Sequence, residues 1–178
     1  NYSFYSKKDL ENCLISEEGH LKILNYLSED QTHLRISLIP NLLKAVANNN
    51  KNFDNFKIYE IGRSYKEINQ YFPLEEKIIA GAVVAKTKND DCFYEAKGAT
   101  EAILDKFHIT LKSAKQVKQT PYAHPVKGLS YLEPSGKTLA KVFTLHPKVA
   151  KNYQLEDYTI ALFEINFTDL MKLESPPS

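Results

Sequence analysis

The residues Leu24–Leu43, LNYLSEDQTHLRISLIPNLL, are typical of a strand, a polar turn and the opening of an amphipathic helix. Ser37 is a good N-cap, and Pro40 falls in the first helical turn, where a missing N–H costs little. Apolar residues then recur at every fourth position, at Leu38, Leu42 and Val46. The stretch therefore predicts a helix with one apolar side facing a core.

Strands are predicted on both sides of this stretch. Upstream, the alternation of aromatic and small polar residues over Tyr2–Ser6 predicts a strand, and Ser6 is placed to cap a short helix over Lys7–Cys13. Downstream, the apolar residues of Phe56–Ile61 predict a strand buried on both faces. Ile78–Ala85 predicts a central strand.

The remaining elements are strands in hairpins with a few helices between them. The predicted strands cover 21–24, 111–118 (a lysine-rich edge strand), 129–133, 137–145 and 158–165, and the predicted helices cover 93–107, 147–153 and 168–173. Pro134, Ser135 and Gly136 form the turn between two of the strands. Because no regular βαβ repeat occurs, the pattern predicts an α+β fold in which helices flank an antiparallel sheet.

Composition sets further limits. The chain has 178 residues, which predicts a single domain over 1–178. With 23 basic and 22 acidic residues, the net charge of +1 argues against a strong overall field for nucleic acid or membrane. Cys13 and Cys92 lie far apart, which argues against a disulfide framework or a zinc site and favours the cytoplasm. The termini look like cuts in a longer polypeptide, with a linker starting at about residues 174–178.

Five residues are candidates for a site. Glu60 lies in a predicted strand, Arg63 follows Gly62, and Arg35 precedes the helix; each is open to two interpretations. They either grip a nucleotide or substrate carboxylate or form structural ion pairs. His124 and His146 each precede a proline, which is typical of a turn histidine, and the alternative is a general acid or base.

Common catalytic motifs are missing from the sequence. It has no GxGxxG, P-loop, HExxH or GxSxG pattern, and its five histidines show no metal-ligand spacing. The lysines at 106, 112, 115, 118 and 127 are open to two interpretations, an RNA-facing strip or a solvated edge strand. No catalytic, cofactor-binding or metal-ligating residue is predicted.

Seven motifs appear in an order that resembles the β subunit of bacterial phenylalanyl-tRNA synthetase. They are Tyr2–Phe4, Leu24–Asp30, Leu34–Leu43, Tyr59–Arg63, Phe93–Gly98, His124–Pro125 and Leu145–Val149, followed by Phe163–Phe167 as the last core strand. The resemblance implies a class II synthetase-like module with an antiparallel sheet. It also implies an α subunit that uses ATP and Mg²⁺ to charge tRNA(Phe) in an (αβ)₂ assembly.

The resemblance further implies a structural module that is itself inactive, in which Arg35, Glu60 and Arg63 are expected to tie strands or the subunit interface together. Catalytic members of the class need a glycine-rich strand–helix segment that ends in an ATP-binding arginine. The corresponding residues, Phe163–Lys172, contain neither glycine nor arginine. Val126 and Lys127 stand where the family commonly has Gly-Arg, so no anion-binding role carries over. The alternatives are a vestigial nucleotide or adenylate site and a surface that contacts tRNA directly.

Overall fold

The computed structural model describes residues 3–18, 20–22, 31–67, 73–86, 91–115, 117 and 120–174. Its strands are β1 Phe4–Tyr5, β2 His33–Leu34, β3 Asn55–Glu67, β4 Pro73–Ala85, β5 Lys112–Lys115, β6 Ala123–Leu132, β7 Thr138–Leu145 and β8 Thr159–Asn166. Its helices are α1 Lys7–Asn12, α2 Ile39–Asn49, α3 Asp91–Lys106, α4 Pro147–Asn152 and α5 Phe167–Glu174.

Six of the strands form one antiparallel sheet in the order β3-β4-β8-β7-β6-β5. A separate two-stranded sheet pairs β1 with β2. Neighbouring strands in the large sheet run antiparallel throughout. The predicted α+β class, with helices on an antiparallel sheet, is confirmed.

The two faces of the large sheet bury different cores. On the front face, defined by Ala80, Leu162 and Phe143, α2 covers an apolar cluster together with the short N-terminal elements. On the back face, defined by Phe163 and Val142, α3 and α5 cover a second cluster. This division follows from the two-residue period of a strand, which sends alternate side chains to opposite faces.

Local capping explains where two helices begin. Ser6 caps α1, as the sequence predicts, and the structure shows that it forms a reciprocal capping box with Asp9. In α2 the N-cap position belongs to Leu38, so the expectation that Ser37 occupies it is wrong by one residue. Ser37 still accepts a hydrogen bond from the Ile39 N–H, at 3.1 Å. Its hydroxyl donates a hydrogen bond to Glu164 of β8.

The expectation that Phe56–Ile61 is buried on both faces is also wrong. Tyr59 is 76% exposed and Ile61 54% exposed on the back face. The reason is topological, because β3 is an outer strand and α3 lies over β4, β8 and β7 instead. The predicted edge strand and hairpin near residues 112–145 are present. Tyr2, 23–30 and 175–178 lie outside the described residues.

Candidate functional site on the two faces of the sheet

A row of polar side chains crosses the front face perpendicular to the strands. The pairing register aligns Glu60 with Ala80, Ala80 with Glu164, Glu164 with Lys141, and Lys141 with Ser130. Because directly opposed residues share a face, the Glu60, Glu164, Lys141 and Ser130 side chains belong to one surface. The antiparallel register thus assembles groups that are far apart in sequence.

Glu164 is the centre of this row. It is 7% exposed, and its Oε1 accepts a 2.5 Å hydrogen bond from the Ser37 hydroxyl. Its Oε2 lies 2.9 Å from the Tyr122 hydroxyl and 2.8 Å from Lys141 Nζ. Lys141 also donates to Thr120 Oγ1 at 3.2 Å. The carboxylate is therefore buried but bound by two hydroxyls and an ammonium group.

These contacts decide the charge state of Glu164. Burial alone raises its pKa, but Lys141, Ser37 and Tyr122 together offset that effect, and the pKa is lowered overall. Burial, followed by the nearby Glu164 carboxylate, raises the pKa of Tyr122 well above its ordinary value. At neutral pH the cluster is an ionised carboxylate bound to a neutral phenol and an ammonium group.

Arg35 forms a second buried ion pair on the same face. Its Nη1 lies 2.8 Å from Glu60 Oε1, and the two side chains are 4% and 14% exposed. Its Nε donates to the Arg63 carbonyl at 2.8 Å. The guanidinium lies across Gly62, where an added Cβ would come within 2.2 Å of Nη2. The sequence candidates Arg35 and Glu60 are thus brought together, over a glycine that leaves room for the arginine.

The side chain of Arg63 does not join this group. It points to the back face and pairs with Glu75 at 2.9 Å, with 63% of the arginine side chain exposed. An exposed pair of this kind is worth only about 0–1 kcal/mol. The structure therefore separates Arg63 from Glu60, although the two lie three positions apart.

His124 lies in β6, in the irregular stretch between the pairs made by Ala123 and Gly128, and His146 is the N-cap of α4. The Nδ1 atom of His124 accepts hydrogen bonds from the N–H groups of Val126 and Lys127, both at 3.2 Å. That of His146 accepts from the Lys148 N–H at 3.1 Å and caps α4. Both side chains bind local backbone N–H groups, but the expected turn position is wrong for His124, which lies in a strand.

A cavity of about 380 Å³ lies beside Glu164 on the front face. Lys66, Asn166 and Ser64 are among the polar residues that line it. Lys66 Nζ is 2.7 Å from Oε2 of the buried Glu76, and Asn166 donates to Oε1 of the same carboxylate. Three basic side chains at this end of the face, those of Arg35, Lys66 and Lys141, thus each contact a glutamate.

The back face carries an open apolar surface beside α3, which we name the back-face trough. Its outer wall is Tyr59 and Ile61 of β3, and its inner wall is Ala99 and Ala102 of α3, all exposed. Glu95 lies on the same side of α3 and pairs with Lys57 of β3 at 2.5 Å, which places the two walls side by side. Each wall is apolar and without long charged side chains at its centre.

The floor of the trough consists of small and apolar residues of the inner strands. Tyr59 pairs with Gly81, Gly81 with Phe163, and Ile61 with Ile79 in the sheet register. At one end the trough continues into a cavity of about 420 Å³ lined by Val83, Cys92 and other residues of β3, β4 and α3. No local sequence pattern indicates this surface, because the surface exists only where β3 is the outermost strand.

Glu164 was also missed as a site residue. In the sequence it stands between Phe163 and Ile165 and was assigned only to the last core strand. A charged residue in the middle of an otherwise apolar strand is itself a signal, because burying an unpaired carboxylate is costly. Its partners Ser37, Tyr122 and Lys141 carry no such signal in sequence.

Two kinds of site are absent from the described residues. No group of three or more His, Cys, Asp or Glu side chains there is arranged to hold a metal ion. The helices that the structure describes do not combine the length and hydropathy needed to span a membrane.

Solved structures define the class of this fold. Two structures of the pyrrolysyl-tRNA synthetase from Desulfitobacterium hafniense match it with a TM-score of 0.75 and 14% identity. They cover 97% of this chain and 60% and 61% of their own chains. The fold is therefore that of the class II aminoacyl-tRNA synthetase catalytic domain.

Sequence comparison then gives the family. The family model described as the phenylalanyl tRNA synthetase beta chain CLM domain matches residues 1–167, and the chain belongs to this family. The phenylalanine–tRNA ligase beta subunit of Listeria monocytogenes serovar 1/2a is 32% identical over 96% of this chain. That of Geobacillus kaustophilus is 31% identical over 98% of it. In both cases this chain covers 22% of the relative's length.

Proposed function

We propose that this chain is a non-catalytic structural module of a phenylalanine–tRNA ligase and that it supports the α subunit in an (αβ)₂ heterotetramer. In this proposal the α subunit binds ATP and Mg²⁺ and charges tRNA(Phe) in the cytoplasm. The module itself holds no cofactor. The observation that carries the proposal is the back-face trough, an apolar surface beside a flanking helix of the sheet.

The trough has the properties of a protein-binding surface. Tyr59 and Ile61 are large, apolar and exposed, whereas side chains of this kind usually lie buried. Ala99 and Ala102 are small, so a helix of a partner can lie close to α3. The ion pairs Lys57–Glu95 and Arg63–Glu75 lie in the same part of the back face. An apolar centre with a polar rim is typical of protein interfaces.

The front face supports the absence of catalysis. Phosphoryl and adenylyl transfer need cations that stabilise charge on phosphate oxygens in the transition state. At this face Arg35, Lys66 and Lys141 already pair with Glu60, Glu76 and Glu164. In α5, Lys172 pairs with Asp169 at 2.9 Å. A phosphate would have to displace a carboxylate from each of these cations.

The experiment is capture of the cognate α subunit. The natural β subunit with Ile61→Glu should retain less than about a tenth of the α subunit bound by the unmodified protein, because the substitution places a charge at the centre of the interface. Leu74→Glu is the matched control, since Leu74 is also an exposed apolar strand residue but lies outside the trough. Equal capture by the Ile61→Glu and unmodified proteins would contradict the proposal.

A second candidate function is a vestigial nucleotide or aminoacyl-adenylate site. The front-face cavity of about 380 Å³ favours it, because this pocket has polar walls and both acidic and basic groups. Isothermal titration with ATP and with a phenylalanyl-adenylate analogue separates the two proposals. Micromolar binding that Lys66→Met weakens would favour the vestigial site. Heats no larger than dilution would favour the structural role.

A further inference from the structure

Two buried histidines, His20 and His33, contact each other in the N-terminal part of the chain. They are 6% and 4% exposed, respectively. Their rings meet edge to face with centroids 6.0 Å apart. The proposed function uses neither of them, so their burial needs a separate account.

Three of the four ring nitrogens of this pair have no hydrogen-bond acceptor among the described residues. Within the residues that the structure describes, both ring nitrogens of His20 and Nε2 of His33 have no hydrogen-bond partner. Among the described residues, the Glu17 carboxylate approaches His33, with its Oε2 4.0 Å from Nε2. It is already shared by Lys7 and Lys22, at 3.0 and 3.3 Å. A charged imidazole would therefore meet one carboxylate that two ammonium groups already neutralise.

The environment lowers the pKa of both rings. Burial is the largest cause for each. For His20 the neighbouring His33 lowers the pKa further, and the two effects outweigh the backbone of Glu18 and Glu17 and the Glu17 charge, which raise it. Glu17 raises the pKa of His33, but burial together with Lys22 and Lys7 outweighs it. The folded chain therefore prefers both rings neutral. In the unfolded chain the pKa of each ring lies near the ordinary histidine value of 6.5, so the unfolded chain binds protons more readily.

Tyr5 connects this pair to the front face of the sheet. Tyr5 is paired with His33 between β1 and β2, and its ring lies 6.0 Å from the ring of His20. The Tyr5 hydroxyl donates to the Ser37 carbonyl, and the Ser37 N–H donates to the Tyr5 oxygen at 2.8 Å. Ser37 in turn donates to Glu164. Displacement of Tyr5 would thus remove support from Ser37, which binds the central carboxylate.

We propose that the His20–His33 pair is an acid-sensitive contact whose protonation releases β1, α1 and β2 from the six-stranded sheet and opens the cavity beside Glu164. The proposal does not depend on the role of the back-face trough. Below pH 6.5 each histidine increases the opening constant by up to about tenfold per pH unit, until the pH reaches its folded-state pKa.

Hydrogen exchange measured by mass spectrometry on the intact protein tests this inference. Protection is compared at about pH 7.5 and about pH 5.5, after correction for intrinsic exchange. Residues 3–12 and 31–37 should lose at least about tenfold in protection at the lower pH, whereas β4 and β8 should keep theirs. An equal loss in all segments, or no loss in the first two, would overturn the proposal.

Variants assign the effect to these rings. His20→Phe and His33→Phe remove the titrating groups and should each reduce the pH dependence of protection in residues 3–12. His108→Asn is the control, since Asn tolerates the left-handed backbone at that position, where φ is 54°. It should keep the full pH dependence.

A second measurement holds even where the phenylalanine variants fold poorly. Histidine titration of the unmodified protein by NMR should place the midpoints of His20 and His33 below 6.5. Midpoints at or above that value would contradict the proposal.

Discussion

The two faces of the sheet differ in whether their side chains find partners within the chain. The front face buries two ion pairs, Arg35–Glu60 and Lys141–Glu164, and each buried carboxylate has a partner inside the same chain. The back face leaves Tyr59 and Ile61 exposed beside α3. A face whose polar groups are satisfied internally contributes to stability. A face with uncovered apolar side chains favours association.

The largest expected effect comes from the front face. Lys141→Met leaves Glu164 buried without its cation, which should cost about 3–5 kcal/mol of the free energy of unfolding at neutral pH. Combining it with Glu164→Gln should recover a substantial part of that loss, because the amide carries no charge, its oxygen can still accept from one of the two hydroxyls that bind Glu164, and its NH2 group can donate to the oxygen of the other. Urea unfolding measures both variants.

An exposed ion pair serves as the control for this variant. Lys86→Met removes a lysine that pairs with Asp54 at the surface, where water screens the two charges, so it should change the free energy of unfolding far less than Lys141→Met does. If Lys141→Met destabilised the chain no more than Lys86→Met does, the front face would not depend on its internal charge pairing.

A smaller loss is expected where the back-face core meets the trough. A Cβ at Gly81 would lie 2.3 Å from the Phe163 ring, so Gly81→Ala should cost about 1–3 kcal/mol through overpacking. Gly98→Ala is the matched control, since a Cβ there has no atom within 4 Å and alanine favours the helix. It should raise the free energy of unfolding by up to about 1 kcal/mol. Thermal unfolding of the two variants compares them directly.

The smallest effect on stability is expected inside the trough. Ile61→Glu changes a side chain that is 54% exposed, and should alter the free energy of unfolding by no more than about 0.5 kcal/mol. Denaturant titration checks this. A loss comparable to that of Gly81→Ala would mean that Ile61 belongs to the core, and that the trough is not a free surface.

The sequence predicts helices and strands better than it predicts which of them lie side by side. Short-range patterns identify Ser6 as the cap of α1 and the apolar stripe of α2, since both depend on contacts within a few residues. Arg35 and Glu60 are identifiable as charged residues in structured segments. That they pair with each other, and that Arg63 pairs with Glu75, depends on the register and path of the chain.

Strand order explains the two main features that the sequence did not predict, the exposure of Ile61 and the pairing of Glu164 with Lys141. An apolar residue such as Ile61 has the same pattern in a central or an outer strand, and here β3 is outermost. The partner of Glu164 is Lys141 because β7 and β8 are neighbours, which no local pattern indicates. Long-range pairing therefore determines both the buried carboxylate site and the exposed trough.

The most direct test of the account is hydrogen exchange of the natural β subunit with and without its α subunit. The account predicts that assembly protects 57–63 of β3 and 91–102 of α3, whereas the front-face segments around Ser37 and Glu164 change little. Protection confined to the front-face segments would contradict it, because the partner would then bind the face that is satisfied internally.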